Sequence, residues 1–466
     1  MRTKKFRLEP YLFYDYHGIE THLEQMARRG WRLRRVAPFY WEYRRAEPEA
    51  RTFAVTYFSE ASEFNPAPTE NQRTFHGYCL DAGWELEAEW AQMQVFSTAG
   101  EDSIPIETDE SSKLRAINRA MWKNFLPGNL LMLLLAVVQL LLQGQNVFRN
   151  PVRELSSPST LLLAAAWVLL ALCEVLAVGG YLVWRLRSGR SVAAGGTCLE
   201  RRAGHRRLNL AVLAVTWAAL AAAVGALFLN GMGWLAAASL AGAAALILLV
   251  LAFKSLLKRL GVPAGTNRAA TVAVSVVLSL LLTGGVFWLV LDGIRGGWLG
   301  RSPAATELVT MPNGTQTSWE IYRDPLPLTA EELYAVDGAL YSRQWTHSAT
   351  PLVSLGEGRQ DAPFGSGAPE LFYTVADIAL PALFEPILED YLRVSGYENE
   401  LPPEERRQYR RTDDPAWGAD RVYELFYRGA SQGKYLVCWG GRIVTLQADS
   451  PLTAEQIAVA AERLGG

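Results

Sequence analysis

The chain has 466 residues, half of them hydrophobic, and a formal net charge of −2. At roughly 150 residues per domain this length predicts about three units, and the charge lacks the basic stripe and the pI above about 9 typical of nucleic-acid binders. The average conceals a sharp shift: residues 1 to about 120 and about 300 to 466 have ordinary soluble composition, whereas 125–291 hold long uncharged runs of Leu, Ala and Val. The predicted fold class is a multi-domain membrane protein with an N-terminal α+β domain (1–98), a polar linker (99–120), a five-helix transmembrane domain (121–292) and a C-terminal α+β domain (300–466).

In the first domain, Ile19, Leu23, Met26 and Ala27 recur at helical spacing. A helix opening between Asp15 and Gly18 therefore ends at Gly30, where glycine takes the left-handed conformation without a Cβ penalty. Trp31 then starts an extended segment to about Val36. The plan recurs with Phe75, Tyr78, Cys79 and Ala82 on one helical face, Gly83 as the stop and Trp84 opening a strand. There Trp84, Leu86, Ala88 and Trp90 alternate with Glu85, Glu87 and Glu89. Gly30, Trp31, Gly83 and Trp84 are expected as structural anchors, the tryptophans in a shared core. Because the helical faces do not superimpose when the glycines are aligned, the expectation is a repeated device and not a duplicated domain. Phe39–Arg44, Thr52–Phe58 and Met93–Ser97 are further strand candidates, and Arg32 and Arg34 are placed to face Glu85 and Glu87.

The succession "FYDYHGIETHLEQMARRGWRL", "WEYRRAEP", "FAVTYF" and "DAGWEL" resembles the domain-of-unknown-function family 2812 (DUF2812) of bacterial membrane proteins, over about residues 5–97. The resemblance implies no catalytic residues and no ligand. It does imply relatives encoded beside small winged-helix regulators of the PadR type, and hence a regulated envelope function.

Five apolar runs follow, each near the ~20 residues that cross a bilayer: 125–143, 160–184, 208–230, 232–253 and 269–291. The third and fourth, separated by Asn230 and Gly231, predict a tight hairpin whose small-residue spacings, Ala221 to Gly225 and Ala238 to Gly242, permit close approach. Gly-Gly pairs at Gly179 and Gly284 leave room for local unwinding. Lys and Arg crowd three flanks: Lys113 to Lys123, Arg185 to Arg207, and Lys254 to Arg268. By the positive-inside rule the N-terminus is cytoplasmic and the C-terminal domain lies outside, and no cleavable signal peptide is expected.

In the C-terminal domain, "PLTAEEL" and "PLTAEQI" are capping boxes, Thr329 with Glu332 and Thr453 with Gln456, with staples Leu328–Leu333 and Leu452–Ile457. "YLVCWGGRIVTLQ" predicts a hairpin turning at Gly440 and Gly441; "ELFYTVADIAL" and "RVYELFY" are strands and Pro381–Val394 a helix. Trp319, Tyr373, Tyr397 and Trp417 are candidates for core or ligand-facing positions. Cys438 stands alone in this domain, which therefore has no disulfide of its own.

No hydrolase, zinc-protease, P-loop or dinucleotide motif is present, and His17, His22 and His76 lack zinc-site spacing. No catalytic residue, metal or cofactor is expected. Glu174 is the one acid inside a span, and an ionisable group there is a functional candidate because an uncompensated charge in hydrocarbon is costly. The favoured reading is a sensor or interaction protein in the cell membrane, coupling an outer domain to an inner one, with the bilayer and another membrane or regulatory protein as partners. The alternatives are a transporter or transporter accessory subunit using Glu174, and a membrane enzyme.

Overall fold

The computed structural model describes residues 3–466 except 10, 38–39, 101–103, 201–202, 230–232, 297–300, 311–313, 394–401 and 403–404. The chain forms two compact units, Met1–Leu140 with Ala165–Val290, and Leu141–Ala164 with Leu291–Gly466.

The first unit opens with β1 (Lys4–Arg7), α1 (Tyr16–Arg28), β2 (Trp31–Val36) and β3 (Trp41–Arg45), followed by β4 (Thr52–Tyr57), α2 (Glu70–Asp81), β5 (Glu85–Trp90) and β6 (Met93–Thr98). The strands form two antiparallel three-stranded sheets of order β1-β3-β2 and β4-β6-β5. Both segments are thus β-α-β-β units with the last strand in the middle. Gly30 (φ +75°) and Gly83 (φ +87°) close the helices, and each following strand carries a register shift at the same offset, Leu33/Arg35 and Leu86/Ala88. The topology is a tandem repeat, contrary to the expectation from unmatched helical faces. Helix faces diverge freely when their surroundings differ. α1 buries Tyr16, Ile19, Leu23, Met26 and Ala27, whereas α2 buries only Gln72 and Cys79.

Two further expectations need correction. The tryptophans do not share a core: Trp84 is buried with Cys79 and Phe96 in a small separate cluster, while Trp31 lies half-buried at the edge of the main one, capped by Lys5 and Arg45 at 5.2 Å each from its ring. Nor does β5 alternate cleanly. The irregularity between Leu86 and Ala88 exposes Leu86 and turns the Glu87 side chain inward to 2% exposure, as an extra residue in a bulge must. Arg32 grips both Glu85 and Glu87, the latter at 2.5 Å; Arg34 pairs with Glu42 at 2.9 Å instead. The stretch expected as a polar linker contains α3 (Glu110–Asn124), capped by Asp109, with Ile117, Ala120 and Met121 in the domain core.

The apolar helices are α4 (Leu126–Arg149), α6 (Pro158–Ala193), α7 (Ala203–Leu229), α8 (Gly233–Arg259) and α9 (Ala264–Arg295), with the short α5 (Pro151–Ser156) between the first two. Among the described residues four of them, α4, α6, α8 and α9, are long and apolar enough to cross a membrane, one fewer than expected. In α7 the described apolar stretch is Leu210–Gly225, and the side chains at 203–209, 226–227 and 229 fall outside the described residues. Gly179 and Gly284 lie within continuous helix. A Cβ at Gly242 would meet the Leu282 side chain of α9. The turn at Asn230 and Gly231 falls outside the described residues.

The second unit holds the hairpin β7 (Ala305–Thr310) and β8 (Gln316–Ile321), then α10 (Ala330–Leu333), β9 (Ser342–Ala349), β10 (Val353–Asp361), β11 (Leu371–Ile378), α11 (Phe384–Leu392), β12 (Gln408–Thr412), β13 (Arg421–Tyr427), β14 (Ala430–Trp439), β15 (Arg442–Ala448) and α12 (Ala454–Leu464). β9 to β15 form one antiparallel sheet of order β12-β13-β14-β15-β11-β10-β9. One core packs α10 and α12 on it through Leu333, Ile457 and Leu464; a second holds α11 and α5 through Ile387, Leu388 and Val152. Both capping boxes form, with Thr329 N–H donating to Glu332 and Thr453 N–H to Gln456 at 2.9 Å each. Trp319, Tyr373 and Trp417 are core; Tyr397 and Val394 fall outside the described residues. Burial pushes the Cys438 thiol up to about 11.

Candidate functional site

The densest convergence of polar and aromatic groups in the first unit lies where the N-terminal domain meets the ends of the apolar helices. The segment before α1 supplies two rings. Phe13 packs on Phe125 at 4.5 Å between centroids, on Tyr57 at 4.9 Å and on Trp90 at 6.1 Å. Tyr14 points into α6, 5.3 Å from Tyr181 and 5.1 Å from Trp184. Polar bonds fix the same helix end. The Tyr181 hydroxyl donates to Asn118 Oδ1 of α3 at 2.7 Å, and the Trp184 indole to the Leu199 carbonyl at 2.7 Å. The segment after α6 folds back, so that Cys198 N–H donates to Glu110 Oε2 at 2.8 Å and Glu200 meets His17 at 3.1 Å. Further along, Lys254 at the end of α8 pairs with Glu63 at 2.8 Å, and Asn267 at the start of α9 donates to the Phe64 carbonyl at 3.4 Å. The rings bury apolar area while their polar tips fix orientation, so this junction is rigid.

Inside it sits Glu20 of α1, whose Oε1 accepts the Val55 amide of β4 at 2.8 Å. Burial pushes this carboxyl up to about 7 despite that bond, with Lys113 opposing and Glu24 and Glu107 reinforcing the shift. Burial likewise raises Glu107, and it lifts Cys198 to about 12. Glu9 goes the other way: burial works against it, but the His22 contact at 3.0 Å holds it below the usual carboxylate range.

Residues 15–127 match the family model described as a protein of unknown function (DUF2812). That region is a DUF2812 domain. No curated protein and no solved structure matches the chain. The DUF2812 match runs past β6, through α3 and into the start of α4, and so takes in Asn118 and Phe125 of the junction.

The sequence candidates fall elsewhere. Gly30 with Trp31, and Gly83 with Trp84, occupy corresponding places in the two repeats of the DUF2812 domain and do not meet. Glu174 lies in α6 about two turns, ~10 Å of rise, before Tyr181 and on nearly the same helical face. Its Oε2 is buried and has no hydrogen-bond partner among the described residues. No group of three or more His, Cys, Asp or Glu with metal-holding geometry exists among the described residues. Sequence reasoning missed Tyr14, Tyr181 and Trp184 because they are far apart in the chain; the one local signal was aromatic rings flanking apolar runs, where they concentrate at interfaces.

Proposed function

We propose that this multi-pass protein is a sensor or interaction protein that links its C-terminal α+β domain, outside, to its DUF2812 domain, in the cytoplasm. The observation that carries this reading is the placement of the first two spans. Leu126 at the start of α4, and Tyr181 and Trp184 near the end of α6, belong to the DUF2812 core, whereas Val152 of α5, between those spans, belongs to the core of the C-terminal sheet. Rearrangement of that sheet then moves α5 and, through α4 and α6 on either side of it in the chain, the junction at Tyr14. The partner is another membrane or regulatory protein, for which Tyr78 of α2, 71% exposed, supplies an aromatic contact. The test is Val152→Asp in the reconstituted chain, followed by hydrogen exchange. Loss of protection at residues 13–20 and 181–199 is expected, and unchanged protection there alongside a loosened sheet refutes the link.

Opposite placement of the two domains needs an odd number of crossings, with α7 as the fifth. Chain continuity supports it. Glu200, just before α7, meets His17, and Lys254, near the end of α8, meets Glu63. If α8 crosses, α7 is the segment that carries the chain to its far end. Basic residues on the flanks nearest the DUF2812 domain support the cytoplasmic assignment. A reporter active only in the cytoplasm should work after Phe58 and fail after Gly466; activity at both positions refutes the fifth crossing.

A second reading, a transporter or transporter subunit, is favoured by the unpartnered Glu174 oxygen alone. Glu174→Gln separates the two readings, as set out below.

A further inference from the structure

A cleft of about 350 Å³ lies between the DUF2812 domain and the last turns of α8, lined by Arg35, Gln72, Trp90, Lys254 and Lys258 among others. Of its three cations, one is already paired. Lys254 is held by Glu63 at 2.8 Å and lies 4.6 Å over the Phe64 ring. The other acid in the wall, Glu89, accepts from Gln72 Nε2 at 2.8 Å. Arg35 and Lys258 are exposed and have neither ion pair nor hydrogen bond among the described residues. Trp90 keeps a buried indole N–H with no acceptor among them.

The cleft's place in the fold narrows the ligand further. α8 is one of the helices long and apolar enough to span a membrane, so its last turns mark the depth at which the span leaves the hydrocarbon. Directly before them, Leu248 and Leu251 are 67% and 46% exposed. A pair of cations with no ion-pair partner among the described residues, beside an exposed apolar helix face, fits a ligand that is anionic at one end and apolar at the other.

We propose that this cleft binds the phosphate-bearing headgroup of an anionic membrane lipid, with the phosphate between Arg35 and Lys258 and the acyl chains along Leu248 and Leu251. Arginine suits phosphate through its planar fork of donors, and lysine as a point charge. Basic clusters at the membrane surface attract acidic lipids in the same way. A free phosphate monoester shares the headgroup chemistry but gains nothing from the leucines.

The test uses the full chain in nanodiscs of phosphatidylcholine with and without phosphatidylglycerol, reading retained lipid by native mass spectrometry and salt dependence by thermal unfolding. The parent should retain phosphatidylglycerol about tenfold over phosphatidylcholine, a preference that weakens as salt rises. Arg35→Gln with Lys258→Gln should abolish the preference, and Lys258→Arg should keep it. Arg301→Gln, in the other unit, serves as a control for general charge loss and should leave it intact. Millimolar glycerol 3-phosphate should neither compete nor stabilise. Equal protection by glycerol 3-phosphate would overturn the lipid in favour of a soluble phosphate ligand. A preference that survives the double substitution, or none in the parent, would overturn the site.

Discussion

Glu20→Gln isolates the cost of one buried carboxyl. In the folded chain this group holds its proton up to about pH 7 against an ordinary value of 4.5, which at about 1.4 kcal/mol per tenfold change in proton affinity amounts to ~3 kcal/mol. The sign follows from linkage. Below about pH 4.5 the group is neutral in both folded and unfolded chains and costs nothing extra. As pH rises toward 7 the unfolded chain releases the proton first, so stability is lost through that window and the full cost stands above it. Glutamine keeps an oxygen for the Val55 amide but cannot ionise. Unfolding of the reconstituted chain, followed by tryptophan fluorescence, should therefore match the parent at pH 4.5. At pH 8.5 the variant should unfold roughly 10 °C higher, taking about 4 °C per kcal/mol for a domain of this size. Lys113 is the cation that opposes the shift, so Lys113→Gln should steepen the parent's loss. Parallel pH curves for parent and Glu20→Gln would refute the buried-charge account.

Trp84→Ala should cost about 3–5 kcal/mol, the range for a large buried ring, and unfold the α2 side of the DUF2812 domain, as urea midpoints would show. Trp31→Ala should cost only ~1–2 kcal/mol, since its half-exposed ring loses mainly the Lys5 and Arg45 contacts; equal losses would restore a shared core. Gly242→Leu should cost ~1–3 kcal/mol of overpacking against Leu282, visible as reduced detergent stability, whereas the same change at Gly225, with nothing near its Cβ position among the described residues, should be silent. Glu174→Gln should preserve folding and any phenotype, and Glu174→Leu should preserve folding too, since the buried Oε2 has no hydrogen bond to lose among the described residues. A folded but inactive Glu174→Gln protein would promote the transporter reading.

The features that were legible in the sequence are those whose cause is local. Gly30 and Gly83 end helices, the capping boxes at Thr329 and Thr453 start them, and Gly440 turns a hairpin, because each needs only a few neighbouring residues. What escaped depends on distant partners. The bulge that buries Glu87 follows from pairing with β6 and from Arg32 in the other repeat, neither visible in an alternating run of acids. α3 buries only three of its residues, too few for its composition to differ from that of a linker. α5 is too short for a periodicity to register, yet Val152 belongs to a core built almost wholly from residues two hundred positions later. Apolar length predicts the α7 crossing, and the proposal that it crosses rests also on where Glu200 and Lys254 are held.

The two β-α-β-β units carry opposite charges at matching positions: Arg32 follows Gly30 and Trp31 as Glu85 follows Gly83 and Trp84. Two copies of the first unit facing each other would set arginine against arginine, and two of the second would set Glu85 and Glu87 against their counterparts. Only the mixed pair is neutralised, with Arg32 clasping both glutamates. The arginine clasp therefore favours closure of the first unit on the second over association of like units.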